Sequence, residues 1–353
     1  MLREIFTNNT PNTIILPNET PVETPRIVLP HERQSSFATI GTNLSKNVSL
    51  QEALEIGGLN YKVRKINHYL FNGTTPKKGV YQTIKLPSDF PDSIIEPREV
   101  EQYIQKYGIA YEEISNVGEQ YTIIQNEEAL DFLNYLSEYT VLEKVGETYN
   151  GMIYCINAFE PINILGNEYI GHLCTRNSHT GGFCLESVID MLRIVCQNQF
   201  SELFKNNSRK IKIGHTKTAH EKIKTASNIL KNTADYLNDF KAHAEKWATM
   251  PVTNNQIEKI LNELFPIDKD NMKDYQIARI EEQKLLLKKA YNNEDNQNFK
   301  NSMWGMINSY ADFLTHKPQY RKTETSADNH FIQTTFDSKE MMNFINLVSR
   351  IAA

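Results

Sequence analysis

The side chains in this sequence whose spacing most suggests chemistry are its cations. Between Ile56 and Ser88 there is no acid, while Lys62, Arg64, Lys65, Lys77, Lys78 and Lys85 are present with Tyr61, Tyr69, Phe71 and Tyr81 among them. Cations that track a phosphate backbone, beside rings on which bases stack, are the ingredients of sequence-tolerant single-strand binding. The charged heads are expected in solvent, whereas the same rings at alternate positions are also what an ordinary strand buries. A second run, from Lys205 to Lys231, sets Lys205, Arg209, Lys210, Lys212, Lys217, Lys222, Lys224 and Lys231 against Glu221 alone, and the stretch from Asp89 to Glu147 is strongly acidic. Charge segregated in this way is either solvated surface or a face with an anionic counterpart, for which a phosphate backbone is the obvious choice. The two basic segments are therefore expected to lie near one another, with Lys62, Arg64, Lys65, Tyr69, Lys77 and Lys78 of the first and Arg209, Lys210, Lys212, His215 and Lys217 of the second as contacts.

Arg193 and Asn198 join that set through a different argument. Ile189, Leu192, Cys196, Gln199/Phe200 and Leu203 recur at helical spacing, which predicts a largely buried helix carrying Arg193 to Asn198. A buried guanidinium needs acceptors, supplied either by a bound phosphate or by a carboxylate from the acidic half. Asn198 is then a second contact on the same ligand or a hydrogen-bonder that breaks the helix. His215-Thr216 precedes a long helix whose free N–H groups attract anions, with Thr216 or Thr218 as its cap; the alternative is a capped helix with a surface histidine.

Other chemistries have less support. Cys196 with His215 or His179 would make a thiol and its base, but Cys196 falls on the apolar stripe, where a thiol is inert. His172, His179, His215 and His220 form no HxH or HExxH pattern, and Gly181-Gly182 lacks a Walker or GxGxxG frame, so neither a metal nor a nucleotide cofactor is expected. The 4 Cys include no CxxC pair, which excludes a disulfide framework and points to a reducing compartment, a cytoplasm. No stretch approaches the roughly 20 apolar residues that a membrane span requires, and a net charge of -5 argues against a surface that is basic throughout.

The elements that must position these residues begin after a proline-rich polar tail, residues 1–40, expected to be extended or disordered. Ser49-Leu50-Gln51-Glu52 is a capping box that opens a short helix, with Gly57-Gly58 as its stop. Tyr61 to Phe71 and Gly79 to Leu86 read as a basic hairpin around Asn72-Gly73. Helices are predicted over Glu99–Tyr107 and Glu127–Tyr139, the second capped by Asn126, and strands over Tyr121–Ile124, Met152–Phe159, Tyr169–Thr175 and Ile211–Ile213. Thr218 to Met250 carries an apolar seam, through Ile223, Ala226, Leu230, Ala234, Leu237, Lys241/Ala244 and Trp247, that predicts one long amphipathic helix ended by Pro251. Thr253 to Gln256 is a second capping box, followed by helices near Gln276–Tyr291 and Phe299–Leu314, a polar linker over Lys317–Asn329 and a last helix over Ser338–Ile351. The fold class is α+β: a hairpin and mixed sheet with packed helices over residues 41–216, then a helical region over 217–353.

Several short runs carry a resemblance. Gly41, the Glu52-Ala53-Leu54 and Gly58-Leu59-Asn60-Tyr61-Lys62-Val63 segments, Asn177-Ser178-His179-Thr180-Gly181, Arg193 to Asn198, Ile213-Gly214-His215-Thr216, and Trp304 with Asn308 and Tyr310 resemble, in order and spacing, the landmarks of the domain-of-unknown-function 932 family. Relatives usually carry Trp and Asp around Asn60-Tyr61, and Asp-Gly where this chain has Thr180-Gly181. The resemblance implies a phage- or plasmid-borne protein acting in a bacterial cell, with a weaker, fold-level likeness to Rad52-type annealing proteins. The leading expectation is a non-enzymatic protein that binds single-stranded DNA in recombination or replication, working as a homo-oligomer. The alternatives are an interaction protein that contacts a host factor through the acidic middle and, with least support, a hydrolase.

Overall fold

The computed structural model describes residues 40–45, 48–131, 140–193, 198–199, 210–230, 233–316, 323, 325–336 and 339–352. Strand β1 (Thr42–Asn43) leads to helix α1 (Leu50–Ile56), opened by the capping box: Ser49 Oγ accepts from Glu52 N and Glu52 Oε2 accepts from Ser49 N at 2.8 Å. Strands β2 (Lys62–Tyr69) and β3 (Pro76–Leu86) form the expected hairpin, and its turn is fastened by Asn72 Oδ1, which accepts from Thr74 N at 3.2 Å and Thr75 N at 3.4 Å. Helix α2 (Pro97–Tyr107) covers one face of this sheet, its Val100 clustering with Ile66, Ile84 and Leu86 of the strands and with Phe90, and β4 (Glu112–Gly118) adds a third strand beside β3.

Helix α3 (Asn126–Asp131) follows, and then the large sheet is laid down by β5 (Thr140–Glu147), β6 (Met152–Phe159), β7 (Ile162–Ile164), β8 (Asn167–Ser178), β9 (Leu185–Arg193), β10 (Asn198–Gln199) and β11 (Lys210–Ile213). Its order is β1-β5-β6-β8-β9-β10, with β7 on β8 and β11 on β9, every pairing antiparallel. The remaining elements are helical: α4 (Ala219–Leu230), α5 (Thr233–Thr249), α6 (Asn254–Leu264), α7 (Asp274–Tyr291), a 3-10 turn (Glu294–Phe299), α8 (Met303–His316), α9 (Ser326–Thr335) and α10 (Glu340–Ala352). The chain is α+β with a helical C-terminal part.

Both faces of the large sheet are covered. Ile153, Cys155, Leu173, Leu185, Ile189 and Met191 face one apolar core shared with Phe240, Trp247, Trp304 and Phe344 of the helices; Met152, Tyr154, Ile156, Cys174 and Val188 face a second, closed by Phe331 and Phe336 at α9. Each large apolar side chain buried here contributes about 1.5–3 kcal/mol. Helix α8 is buried along its length, and an added Cβ at Gly305 would lie 2.1 Å from Phe299 O, so only glycine lets the preceding turn pack this closely. Gly41, with φ +68°, has the same constraint, since a Cβ there would meet Tyr154 Oη at 2.2 Å.

Several elements depart from the sequence reading. The segment predicted as a buried helix is strand β9 up to Arg193, because a strand covered on both faces shows no polar alternation and cannot be told from a buried helix by periodicity. Cys196 and the residues up to Leu203, except Asn198 and Gln199, lie outside the described residues. Tyr121–Ile124 is extended but joins no sheet; Thr122 N donates instead to His215 O at 3.0 Å. The long helix occurs as α4 and α5 on either side of residues 231–232, which are not described, with Ile223, Ala226, Tyr236, Phe240, Ala244 and Trp247 buried. The polar linker is in part α9, whose Phe331 and Ile332 cap the second core. The tail before residue 40, and residues 132–139 of the predicted 127–139 helix, are outside the described residues.

Candidate functional site

The first basic segment divides between fold and surface. On β2, alternate residues turn toward α2, and this takes Arg64 inward with them. It is 6% exposed, and donates through Nε to Ile94 O at 3.0 Å, through Nη1 to Val63 O at 2.9 Å and through Nη2 to Asp92 Oδ1 at 3.3 Å. The expectation of a solvent-facing head is thus corrected for Arg64: two carbonyls and a carboxylate supply the acceptors that a buried guanidinium requires. Lys62 pairs with the same Asp92 at 3.1 Å, and its hydrogen bond is the main cause that holds the Asp92 carboxyl below its usual range.

Lys65 is also held. Its Nζ donates to Tyr121 O at 2.7 Å, lies 5.2 Å from the Tyr81 ring centre, and has its pKa lowered mainly by burial. Tyr69 keeps an exposed ring while its hydroxyl donates to Glu101 Oε2 at 2.8 Å. Lys77 and Lys78 are exposed at the start of β3, across the turn from exposed Leu70 and Phe71. The hairpin tip therefore presents two cations and two apolar side chains together.

Two cations of the second basic segment, Lys210 and Lys212, meet a buried carboxylate that the sequence reading missed. Glu186, with no solvent exposure, accepts from Arg176 Nε at 2.9 Å and Nη2 at 2.6 Å, and pairs with Lys210 at 2.6 Å and Lys212 at 3.3 Å. Arg176 lies near both the Phe183 and Phe336 rings, at 4.9 and 4.5 Å. Lys210 and Lys212 sit two apart on β11, so both project on the face opposite Ile211 and Ile213, toward the second core. The period of two in Lys210-Ile211-Lys212-Ile213 carried that signal, but nothing in the sequence indicated which carboxylate would answer. Lys217 is exposed. Arg209 lies outside the described residues, and Arg193 and Asn198 are described only by their backbones, which pair with each other where β9 meets β10.

Both segments contact the same stretch, Tyr121-Thr122. Lys65 donates to Tyr121 O, the His215 ring stacks on Tyr121 at 4.6 Å, and His215 Nδ1 donates to Thr122 O at 2.9 Å. Burial lowers the His215 pKa, which favours the neutral ring, and through these contacts the ring joins parts of the fold.

Around this contact, the runs quoted for the family resemblance converge. Asn177 Nδ2 donates to Ile124 O at 3.1 Å, Tyr121 Oη to Ser178 O at 2.7 Å, and Thr83 Oγ1 to His179 O at 2.9 Å. Asn126 Nδ2 donates to Leu59 O at 2.7 Å, which leaves Asn126 Oδ1 as the acceptor for His179 Nε2–H at 2.7 Å. Burial pushes the His179 pKa down to about 3. Beside it, Lys85 bonds both carboxylate oxygens of Glu147 at 3.1 and 3.0 Å and lies 4.7 Å from the Tyr61 ring centre, while Tyr61 Oη donates to Glu147 Oε2 at 3.3 Å. The arrangement welds the three-stranded sheet to the large one. His179, buried and bonded to Asn126, is part of the junction that positions the hairpin.

In comparison with known proteins, the family model Domain of unknown function (DUF932) matches residues 113–334. The chain belongs to the DUF932 family. The matched DUF932 part runs from β4 into α9 and holds Asn177 to Gly181, Ile213 to Thr216 and Trp304; Gly41, the Glu52 to Val63 runs and the basic hairpin lie before it. No curated protein and no solved structure matches the chain. Among the described residues of this DUF932 member, no group of three or more His, Cys, Asp or Glu is placed to hold a metal ion, and no helix is long and apolar enough to cross a membrane.

Proposed function

We propose that this DUF932 protein is a non-enzymatic nucleic-acid-binding protein of a phage or plasmid, and that it engages single strands through the tip of the β2–β3 hairpin. The observation that carries the reading is the exposure of Leu70, Phe71, Lys77 and Lys78 at that tip, next to the exposed ring of Tyr69. A planar side chain offers a stacking surface that any base accepts, and the two lysines offer counter-charges to the phosphates. The remaining cations of the hairpin keep it rigid: Arg64 and Lys62 fix it to Asp92, and Lys85 to Glu147. A fixed platform reduces the ordering cost of binding.

The test is an electrophoretic shift series with single- and double-stranded DNA at two salt concentrations. Preferential, salt-sensitive retardation of the single strand supports the reading; no shift of either form at low salt removes it. One observation favours a second reading: Leu70 and Phe71 are apolar and adjacent, and such a pair suits a protein partner as well as a base. In that case a host factor is the ligand, and the binding resists salt.

A further inference from the structure

Between α2 and strands β2, β3 and β4 runs an open groove of about 490 Å³, within the range of small-ligand sites. It begins at Tyr69, one residue from the hairpin tip, and Ile66 and Ile104 supply its apolar lining. Two exposed tyrosines, Tyr69 and Tyr111, stand on its wall. Glu101 is occupied, accepting from Asn67 N at 2.8 Å and from Tyr69 Oη at 2.8 Å, so it fixes the Tyr69 ring in place. Glu113 projects to the same side of the sheet as its cross-strand neighbour Ile84 and, among the described residues, has no hydrogen-bond or ion-pair partner.

We propose that this groove holds nucleobases bearing an exocyclic amino group, which Glu113 selects; the inference rests on the single-strand reading above. A carboxylate repels the phosphate backbone, so the part of a nucleic acid that enters is the base. An ionised carboxylate only accepts hydrogen bonds, so its ligand must bring a donor. The amino groups of cytosine and adenine supply one, and Glu accepting from cytosine N4 is an established pairing. At the same position thymine presents a carbonyl, which meets Glu113 acceptor to acceptor. Tyr69 and Tyr111 stack on either base without distinguishing them. The tip lysines thus hold the backbone while the groove discriminates among bases.

The experiment measures fluorescence anisotropy of the full chain with labelled oligo-dC, oligo-dA and oligo-dT of equal length at low salt, for the wild type and Glu113→Gln. The expected result is that oligo-dC and oligo-dA bind about fivefold or more tighter than oligo-dT. Glu113→Gln brings the three within about twofold, with the salt slope unchanged because no phosphate contact is lost. Its melting temperature stays at the wild-type value, since Glu113 is exposed and unbonded. Equal binding of the three oligonucleotides, or a preference that survives Glu113→Gln, overturns the groove assignment and leaves the single-strand reading standing. Absence of binding to all three, with tight binding of a lysine-rich peptide instead, overturns both and makes the groove a site for a cationic protein segment.

Discussion

Lowering the pH from 7.5 to 5 is expected to destabilise this protein well before its carboxylates protonate, and His179 is the cause. Its ring is buried, its Nε2–H is bonded to Asn126, and burial, with His215 and Lys85 nearby, pushes its pKa down to about 3. In the unfolded chain the same ring titrates at its ordinary value of 6.5. Below that value the unfolded state takes up a proton that the folded state cannot, so the stability contributed by the neutral ring is complete above pH 6.5 and lost as the pH falls. The loss is about 1.4 kcal/mol for each pH unit, or about 2 kcal/mol at pH 5 from His179 alone. His215, also lowered by burial, adds in the same direction. Carboxyls such as Asp92 and Glu52, held below their usual range, contribute only at lower pH, so the window between 6.5 and 5 isolates the histidines. The assay is urea unfolding at pH 7.5 and pH 5 for the wild type and His179→Gln, which keeps a hydrogen-bonding side chain at the junction. The variant should be less stable at pH 7.5 yet lose about 2 kcal/mol less on acidification. Equal losses in the two proteins, or none in the wild type, would refute the assignment of a buried neutral ring.

Three further outcomes follow from packing and charge. Gly305→Ala puts a Cβ 2.1 Å from Phe299 O, and the forced shift should cost about 1–3 kcal/mol, read as a lower melting temperature. Glu186→Ala leaves Arg176 and Lys210 without their shared carboxylate and should cost about 3–5 kcal/mol in denaturant unfolding. Arg64→Gln should cost about 3 kcal/mol, because the carbonyls of Val63 and Ile94 lose a buried donor, whereas Lys77→Gln should leave stability unchanged in the same assay.

Local signals in the sequence were read well where they are self-contained. The capping boxes at Ser49 and Thr253 form as reciprocal bonds, and Asn72-Gly73 turns the hairpin, because each is decided within four residues. Strand β4 went unseen: Glu112-Glu113-Ile114-Ser115-Asn116 is polar and weakly strand-forming, and it is held by the ladder to β3 rather than by its own preference. The end of strand β9, from Ile189 to Arg193, reads as helix because both faces of the strand are buried, so its residues show no regular alternation of apolar and polar. At the candidate site, the hairpin and its exposed lysines were legible, but the inward turn of Arg64 depends on α2 and Asp92, and the capture of Lys210 and Lys212 depends on Glu186 in the neighbouring strand. Partners that come from elsewhere in the chain leave no mark in the residues they neutralise.

The salt dependence of single-strand binding tests the central claim most directly. The equilibrium constant for a labelled oligonucleotide is measured over a series of salt concentrations for the wild type and for the Lys77→Gln, Lys78→Gln double variant. The account predicts a linear fall of log affinity with log salt, and a slope reduced in the variant by about 1.4, the share of two single-strand phosphate contacts. An identical slope in the two proteins, or no binding by the wild type at low salt, would contradict it.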